Sequence, residues 1–358
     1  MLGISGETLT ALVEAAARAP SGDNCQPWRF LWDGERLRVV FLPDRAESLY
    51  DVRNAASWVS LGAVLTNLRV AAGHLGLEVA ADVFPGDDAP GVVARARLTP
   101  ARPTDETLWP ALDARCVNRR PYRRDPLPTA IRDELQALGA STAGVHLSWI
   151  EDPPTKARLA ALAACNERIL FENRPLHDGL YRWLRWSPAE IQRTGDGMPV
   201  ESLELWRPER AALRLMGSWL RARLFTALGA SRTLPLRSRQ VYARSAAIAL
   251  LTVEGADRTD FVRGGEVLER IWLTATLRNV AFQPITGIVF LLLRLALEQG
   301  RGLSVRHQSL VERVARDLWE LFPEVLGQTP VMLFRLGLAP PPTARAPRLP
   351  SRRILSIE

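Results

Sequence analysis

Ser21 and Asn24 stand in the run Ala19-Pro20-Ser21-Gly22-Asp23-Asn24-Cys25-Gln26-Pro27-Trp28. Prolines on either side hold such a loop extended and limit the entropy it loses on gripping a ligand. A hydroxyl and a carboxamide at this spacing can hydrogen-bond phosphate or polyol oxygens. Arg115, Arg119, Arg120, Arg123 and Arg124 form a second group, whose guanidiniums are always charged and offer paired donors to phosphate. A third stretch, Gln283-Pro284-Ile285-Thr286-Gly287, offers backbone donors beside a glycine that lets main chain approach a bound ring. A fourth is the basic pair in Pro350-Ser351-Arg352-Arg353. Each has a plainer reading: a helix end turning into a hairpin with Trp28 as core anchor, a solvated arginine surface, a helix-breaking Pro and Gly pair, and a solvated tail.

Other chemistries have less support. His74, His146, His177 and His307 never fall at HxH or HxxxH spacing, and Cys25, Cys116 and Cys165 form no CxxC, so neither a metal site nor a disulfide framework is indicated. A reducing cytoplasm fits the cysteine usage. The 46 cationic residues exceed the 39 acidic ones, giving a net charge of +7, and all but Lys156 are arginine. Arginines spread among so many acids point to codon composition rather than a nucleic-acid surface. The most apolar uncharged stretch, 280–293, contains Pro284 and Gly287 and is shorter than the ~20 residues of a membrane span. Neither a nucleic-acid nor a membrane partner is expected, and the N-terminus reads as a helix start.

The elements that must position these groups follow from periodicity. Leu9, Leu12, Val13 and Ala16 have helical spacing that stops at Pro20, and WRFLW and RLRVVFL flank Asp33-Gly34-Glu35 as a hairpin. Residues 61–75 read as a helix, and 78–84 and 92–98 as half-exposed strands. After the polar, proline-rich stretch 100–105, helices are predicted over 129–138, 154–172, 265–278 and 309–321, and strands over 145–150, 246–253 and 330–338. Residues 175–240 read as a helical insertion in which Trp183, Trp186, Trp206, Trp219 and Phe225 serve as packing, with a lid as the sharper alternative. The helical string from Gly62 echoes the one from Gly265, glycine and apolar positions matching, a weak sign of duplication.

The run Ala19 to Trp28 resembles the APSxxNxQPW loop of the nitroreductase family of flavin oxidoreductases. Arg115-Cys116-Val117-Asn118-Arg119 is similar to that family's RxSxR segment, Pro284-Ile285-Thr286-Gly287 to its PxxG turn, and the terminal Arg352-Arg353 to its closing basic pair. The resemblance implies flavin mononucleotide (FMN) held by Pro20, Ser21, Asn24 and Gln26, by Arg115 and Arg119 at the phosphate, by Pro284, Ile285, Thr286 and Gly287 near N5 and O4, and by Arg353 with Arg352. Val117 stands where a hydroxyl is usual, leaving Asn118 to replace that contact, and Thr286 stands where glutamate is common. No catalytic side chain is implied.

The first motif lies early in the chain and the other three late, whereas a family homodimer takes them from two subunits. The resemblance is therefore nearest to the two-domain, fused pseudo-dimer members known from mycobacteria. The expected fold is α+β, three-layered, with mixed, mainly antiparallel sheets flanked by helices and duplicated in one chain. Its expected halves are residues 1–105 and residues 106–174 with 241–358, interrupted by the insertion 175–240. The implied activity is reduction of a small-molecule acceptor, a nitroaromatic or quinone, by NADPH or NADH through flavin N5, in a monomer or weak homodimer. An FMN storage protein without turnover is the alternative, and a flavin-free basic interaction module a third reading.

Overall fold

A computed structural model describes residues 4–86, 89–104 and 107–358. The expected boundary between residues 105 and 106 lies outside the described residues. The strands are β1 (Trp28–Trp32), β2 (Arg36–Phe41), β3 (Leu77–Val83), β4 (Val92–Pro100), β5 (Val145–Ile150), β6 (Leu184–Arg185), β7 (Met198–Pro199), β8 (Ala247–Val253), β9 (Ala281–Pro284), β10 (Thr329–Gly337) and β11 (Leu355–Ile357). They form a five-stranded sheet in the order β11-β1-β2-β4-β3, a four-stranded sheet β5-β8-β10-β9, and a small parallel β6-β7 pair. The four-stranded sheet is antiparallel throughout, and the larger sheet is mixed because β11 runs parallel to β1. The fold is α+β with mixed, mainly antiparallel sheets, as expected.

The hairpin between β1 and β2 turns at Asp33-Gly34-Glu35, where the Asp33 carboxylate accepts from the Glu35 and Arg36 amides and Gly34 takes a left-handed φ of 94°. The uninterrupted apolar string of β8 is buried at all seven positions because this strand is central, between β5 and β10.

Two long helices, Ala55–His74 and Arg258–Leu277, pack against each other between the sheets. The first is buried on nearly every side, as its almost uniformly apolar sequence requires. The second starts seven residues before the expected Gly265. Its opening turns carry Arg258, Asp260 and Arg263, which hide the apolar period, and its start is set by a capping box in which the Asp257 amide donates to Asp260 Oδ2 at 3.0 Å.

The apolar stretch from Val280 divides into β9 and a helix, Thr286–Glu298. Among the described residues no helix is long and apolar enough to cross a membrane. The insertion is helical, with Arg174–Trp183, Pro188–Thr194, Arg207–Leu215, Trp219–Ala227 and Ala230–Ala243, and has its own apolar cluster around Phe171, Leu184, Met198, Leu213 and Met216. Trp186, Trp219 and Phe225 pack on that cluster, and Trp183 is buried. Trp206 departs from the packing expectation: it precedes the Arg207–Leu215 helix and stands in solvent, 77% exposed. The chain beyond Gly337 leaves the four-stranded sheet after β10. It crosses the molecule and adds β11 to the first sheet beside β1.

Candidate cofactor site

The Ala19–Trp28 loop is held in an uncommon backbone shape. Asp23, Asn24 and Gln26 all have left-handed φ, of 50°, 56° and 50°, a conformation that Asp and Asn tolerate and Gln adopts only when fixed. Gln26 is fixed from three directions. Its amide donates to Ser21 Oγ (2.9 Å), its side-chain nitrogen donates to the Gly195 carbonyl (3.0 Å), and its side-chain oxygen accepts from the Leu349 amide (2.8 Å). Asn24 donates to the carbonyls of Gly197 and Pro347, both at 3.0 Å, and accepts from Arg348 at 2.9 Å. The two amides therefore tie the loop to the insertion and to the tail.

The loop forms part of a cavity of about 660 Å³. Of the residues singled out from sequence, Pro20, Ser21, Asn24, Arg115, Arg119, Pro284, Thr286 and Gly287 line it, so the early loop and the late Pro/Gly turn share one space. Gln26 and Ile285 are buried behind the lining. Arg352 and Arg353 are the correction. They sit exposed on the short turn Ser351–Ile354, where Arg353 donates to the Arg193 and Thr194 carbonyls of the insertion, away from the cavity. Arg345 and Arg348, from the preceding stretch of the same tail, line the cavity instead. Sequence reasoning preferred the adjacent pair; the only mark of the other two was their place in the same Pro/Arg-rich tail.

One end of the cavity is strongly cationic. Arg18, Arg115, Arg345 and Arg348 all line it. Arg115 and Arg348 both donate to the Arg18 carbonyl, and Arg345 to the carbonyls of Asp113 and Arg115. Two carboxylates face these four guanidiniums: Asp113, 2.5 Å from Arg18, and Glu269, 3.0 Å from Arg115. Arg115 also stacks over Trp272 at 4.5 Å. Burial, with Arg115 beside it, pulls the Arg348 guanidinium down to about 9, while burial pushes Glu269 up against the pull of Arg115. An anion placed here would relieve the excess of positive charge.

Asn118, expected to replace the missing hydroxyl, does not line the cavity. Asn118 is buried, donates to the Pro340 carbonyl at 2.8 Å and accepts from the Arg120 amide at 3.0 Å, whereas Val117 lines the cavity. Arg119 lines the cavity near Asp23 and donates to the Ser202 carbonyl of the insertion at 3.2 Å. Burial pushes the Asp23 carboxyl up to about 6, with Arg119 opposing. Asp51, a lining residue not singled out from sequence, is likewise pushed up to about 6 by burial despite accepting from the Ser57 hydroxyl and amide.

At the other end, Gly287 meets Asn166. A β-carbon on Gly287 would lie 2.3 Å from Asn166 Oδ1, which accepts from the Tyr50 hydroxyl at 2.7 Å, so a side chain there would displace Asn166. The insertion closes one side with Leu180, Trp183, Met198 and Ser202. It is anchored by Asp196, which pairs with Arg45 at 2.8 Å and Arg185 at 2.7 Å, while Arg45 donates to the Cys25 carbonyl of the loop. Burial works against the Asp196 carboxylate, but hydrogen bonds from Arg185 and Arg45 hold it below the usual range. No cluster of metal-ligating side chains occurs among the described residues.

No protein-family model matches the chain. Its sequence is 28% identical over 342 residues to a protein of Mycobacterium tuberculosis named "Uncharacterized protein MT1398", covering 94% of this chain but only 46% of that relative, so the chain spans about half of its length. Two further M. tuberculosis proteins match along nearly their whole length. "Putative NAD(P)H nitroreductase acg" is 25% identical over 98% of this chain and 95% of its own, and "Putative NAD(P)H nitroreductase Rv3131" is 25% identical over 98% and 91%. Against the solved FMN-dependent nitroreductase NfnB of Mycobacterium smegmatis the TM-score is 0.33, with 15% identity over 64% of this chain and 86% of that one, a likeness too low to assign a fold. Along its full length, then, the chain is similar to mycobacterial proteins named putative NAD(P)H nitroreductases.

Proposed function

We propose that the cavity holds FMN and that the chain is an NAD(P)H-dependent oxidoreductase passing electrons to a small-molecule acceptor of the nitroaromatic or quinone class. The observation that carries this reading is one cavity of about 660 Å³ with four guanidiniums at one end and the Pro284–Gly287 turn in its wall. The donor set fits a phosphorylated flavin: Arg115, Arg345 and Arg348 would hold the phosphate, and Ser21 would meet the ribityl chain. Pro284, Thr286 and Gly287 would border the ring, with the first amides of the Thr286–Glu298 helix favouring negative charge there. When bound, FMN would supply two-electron chemistry at N5 between nicotinamide and acceptor.

The chain's own residues bind, orient and exclude water. Gly287 leaves Asn166 its place in the wall, Trp272 and Trp183 line the space with apolar surface, and the insertion covers one side. Asp23 also lines the space, and burial pushes its carboxyl up to about 6. In this reading the chain is a fused pseudo-dimer, with residues 1–105 as one half, residues 106–174 and 241–358 as the other, and 175–240 as the cover. The names of the full-length relatives support the oxidoreductase reading. Steady-state oxidation of NADPH or NADH by the FMN-loaded protein, with and without a quinone or nitroaromatic, tests it. Acceptor-dependent oxidation is the expected result; tight flavin binding with no such rate would leave only storage.

A further inference from the structure

The insertion presents a surface that the cavity does not use. In its helix Trp219–Ala227, Trp219 and Phe225 pack inward on the insertion's cluster and Ala222 is fully buried. The opposite side carries Leu220, 74% exposed, Leu224, 60% exposed, and at the helix end Leu228, 77% exposed. At 100° per residue these three lie within one narrow stripe, and Arg221 and Arg223, both exposed, flank it on either margin. No carboxylate pairs with either arginine among the described residues. Trp206 is exposed on the same insertion, as are Leu215 and Leu236.

Charge is as one-sided as the apolar exposure. From residue 205 to residue 244 the chain contains nine arginines and one acid, Glu209, which pairs with Arg237 at 2.8 Å. The arginine-rich stretches 115–124 and 345–353 carry no exposed leucine; here arginines occur alongside exposed leucine and tryptophan. A second copy of the chain would bring the same positive charge against this face and be repelled. A nucleic acid would match the arginines but offer the leucine stripe no apolar environment. An anionic lipid leaflet satisfies both: acyl chains take leucine side chains, the headgroup zone takes tryptophan, and acidic headgroups take guanidiniums.

We infer that the insertion is a peripheral membrane-docking surface, in which the Leu220–Leu224–Leu228 stripe and its flanking arginines seat on an anionic bilayer. The expectation of no membrane partner rested on the lack of a spanning segment, which does not bear on peripheral contact. The proposal is independent of whether the cavity binds flavin.

Flotation of the full chain with vesicles tests it. The probes are vesicles of phosphatidylcholine alone and of phosphatidylcholine with about 30% phosphatidylglycerol, at about 0.1 M and about 0.5 M salt. Binding is expected to the anionic vesicles at low salt, with little to the neutral ones. L220S/L224S should lose it, and R221S/R223S should weaken it roughly 25-fold, at about fivefold for each basic residue near the surface. All four side chains are exposed, so melting temperatures should match the parent, and either variant alone keeps the test decisive if the other fails to fold. Absence of anionic binding, equal binding to both vesicle types, or binding unchanged in both variants would overturn the proposal. So would a concentration-dependent dimer, or RNA binding, abolished by L220S/L224S while vesicle binding persists.

Discussion

Gly62 and Gly265 make the same contact in opposite directions. A β-carbon on Gly62 would lie 2.0 Å from the Val262 carbonyl oxygen, and one on Gly265 would lie 2.0 Å from that of Val59. Val59 precedes Gly62 by the same three residues that separate Val262 from Gly265. The two long helices thus cross at a reciprocal pair of glycines, as symmetry-related helices do at a two-fold interface. The sequence echo from Gly62 and Gly265, weak as a motif, corresponds to a real geometric equivalence.

Replacing either glycine forces backbone apart, because the obstacle is a carbonyl rather than a flexible side chain. G62A and G265A should each destabilise the chain by about 3 kcal/mol or more, in the range of severe overpacking. Thermal or urea unfolding measures this, and near-parental stability would show that the helices are not locked here.

Arg115 lines the cavity and is also structural. Removing it leaves Glu269, fully buried, without its counter-charge, and R115M should cost about 3 kcal/mol. Adding E269M should recover most of that stability in urea titrations. FMN affinity should remain at least tenfold weaker in both, which separates a lost ligand contact from a lost fold.

Much of this was legible before the structure. The hairpin at Gly34, the buried β8 and the meeting of Ser21 and Asn24 with Pro284 and Gly287 follow from local pattern and motif. Three things were not. The Arg258 start was hidden by a polar first turn. The tail's course depends on long-range bonds such as that from the Leu349 amide to Gln26, which no periodicity records. The bonds from Asn24 and Gln26 to the insertion and tail are likewise unreadable, because a motif names a residue without saying which of its atoms are engaged.

Asp23 gives a pH signature. Its carboxyl is pushed up to about 6 in the folded chain from an ordinary 3.8, so between these values the folded state holds the proton more tightly than the unfolded state. Ionisation above pH 6 therefore costs stability, and the cost fades as pH falls toward 4. D23N should be more stable than the parent at pH 7 by about 3 kcal/mol, with the difference shrinking below pH 6. Melting curves from pH 4 to 8 read this directly; a constant difference would remove Asp23 from the account.

Asp196 is the joint between insertion and loop. D196A frees Arg45 and leaves the buried Arg185 unpaired, so it should loosen the cavity's outer wall. Flavin release, followed by recovery of FMN fluorescence on dilution, should accelerate about tenfold with little change in the far-ultraviolet spectrum.

Calorimetric titration of the flavin-free chain with FMN tests the central claim most directly. One FMN per chain is expected, with affinity falling at least tenfold in R348M and remaining within about twofold of the parent in R353M. No saturable binding, two sites per chain, or a loss in R353M that R348M does not share would contradict the cavity as the flavin site.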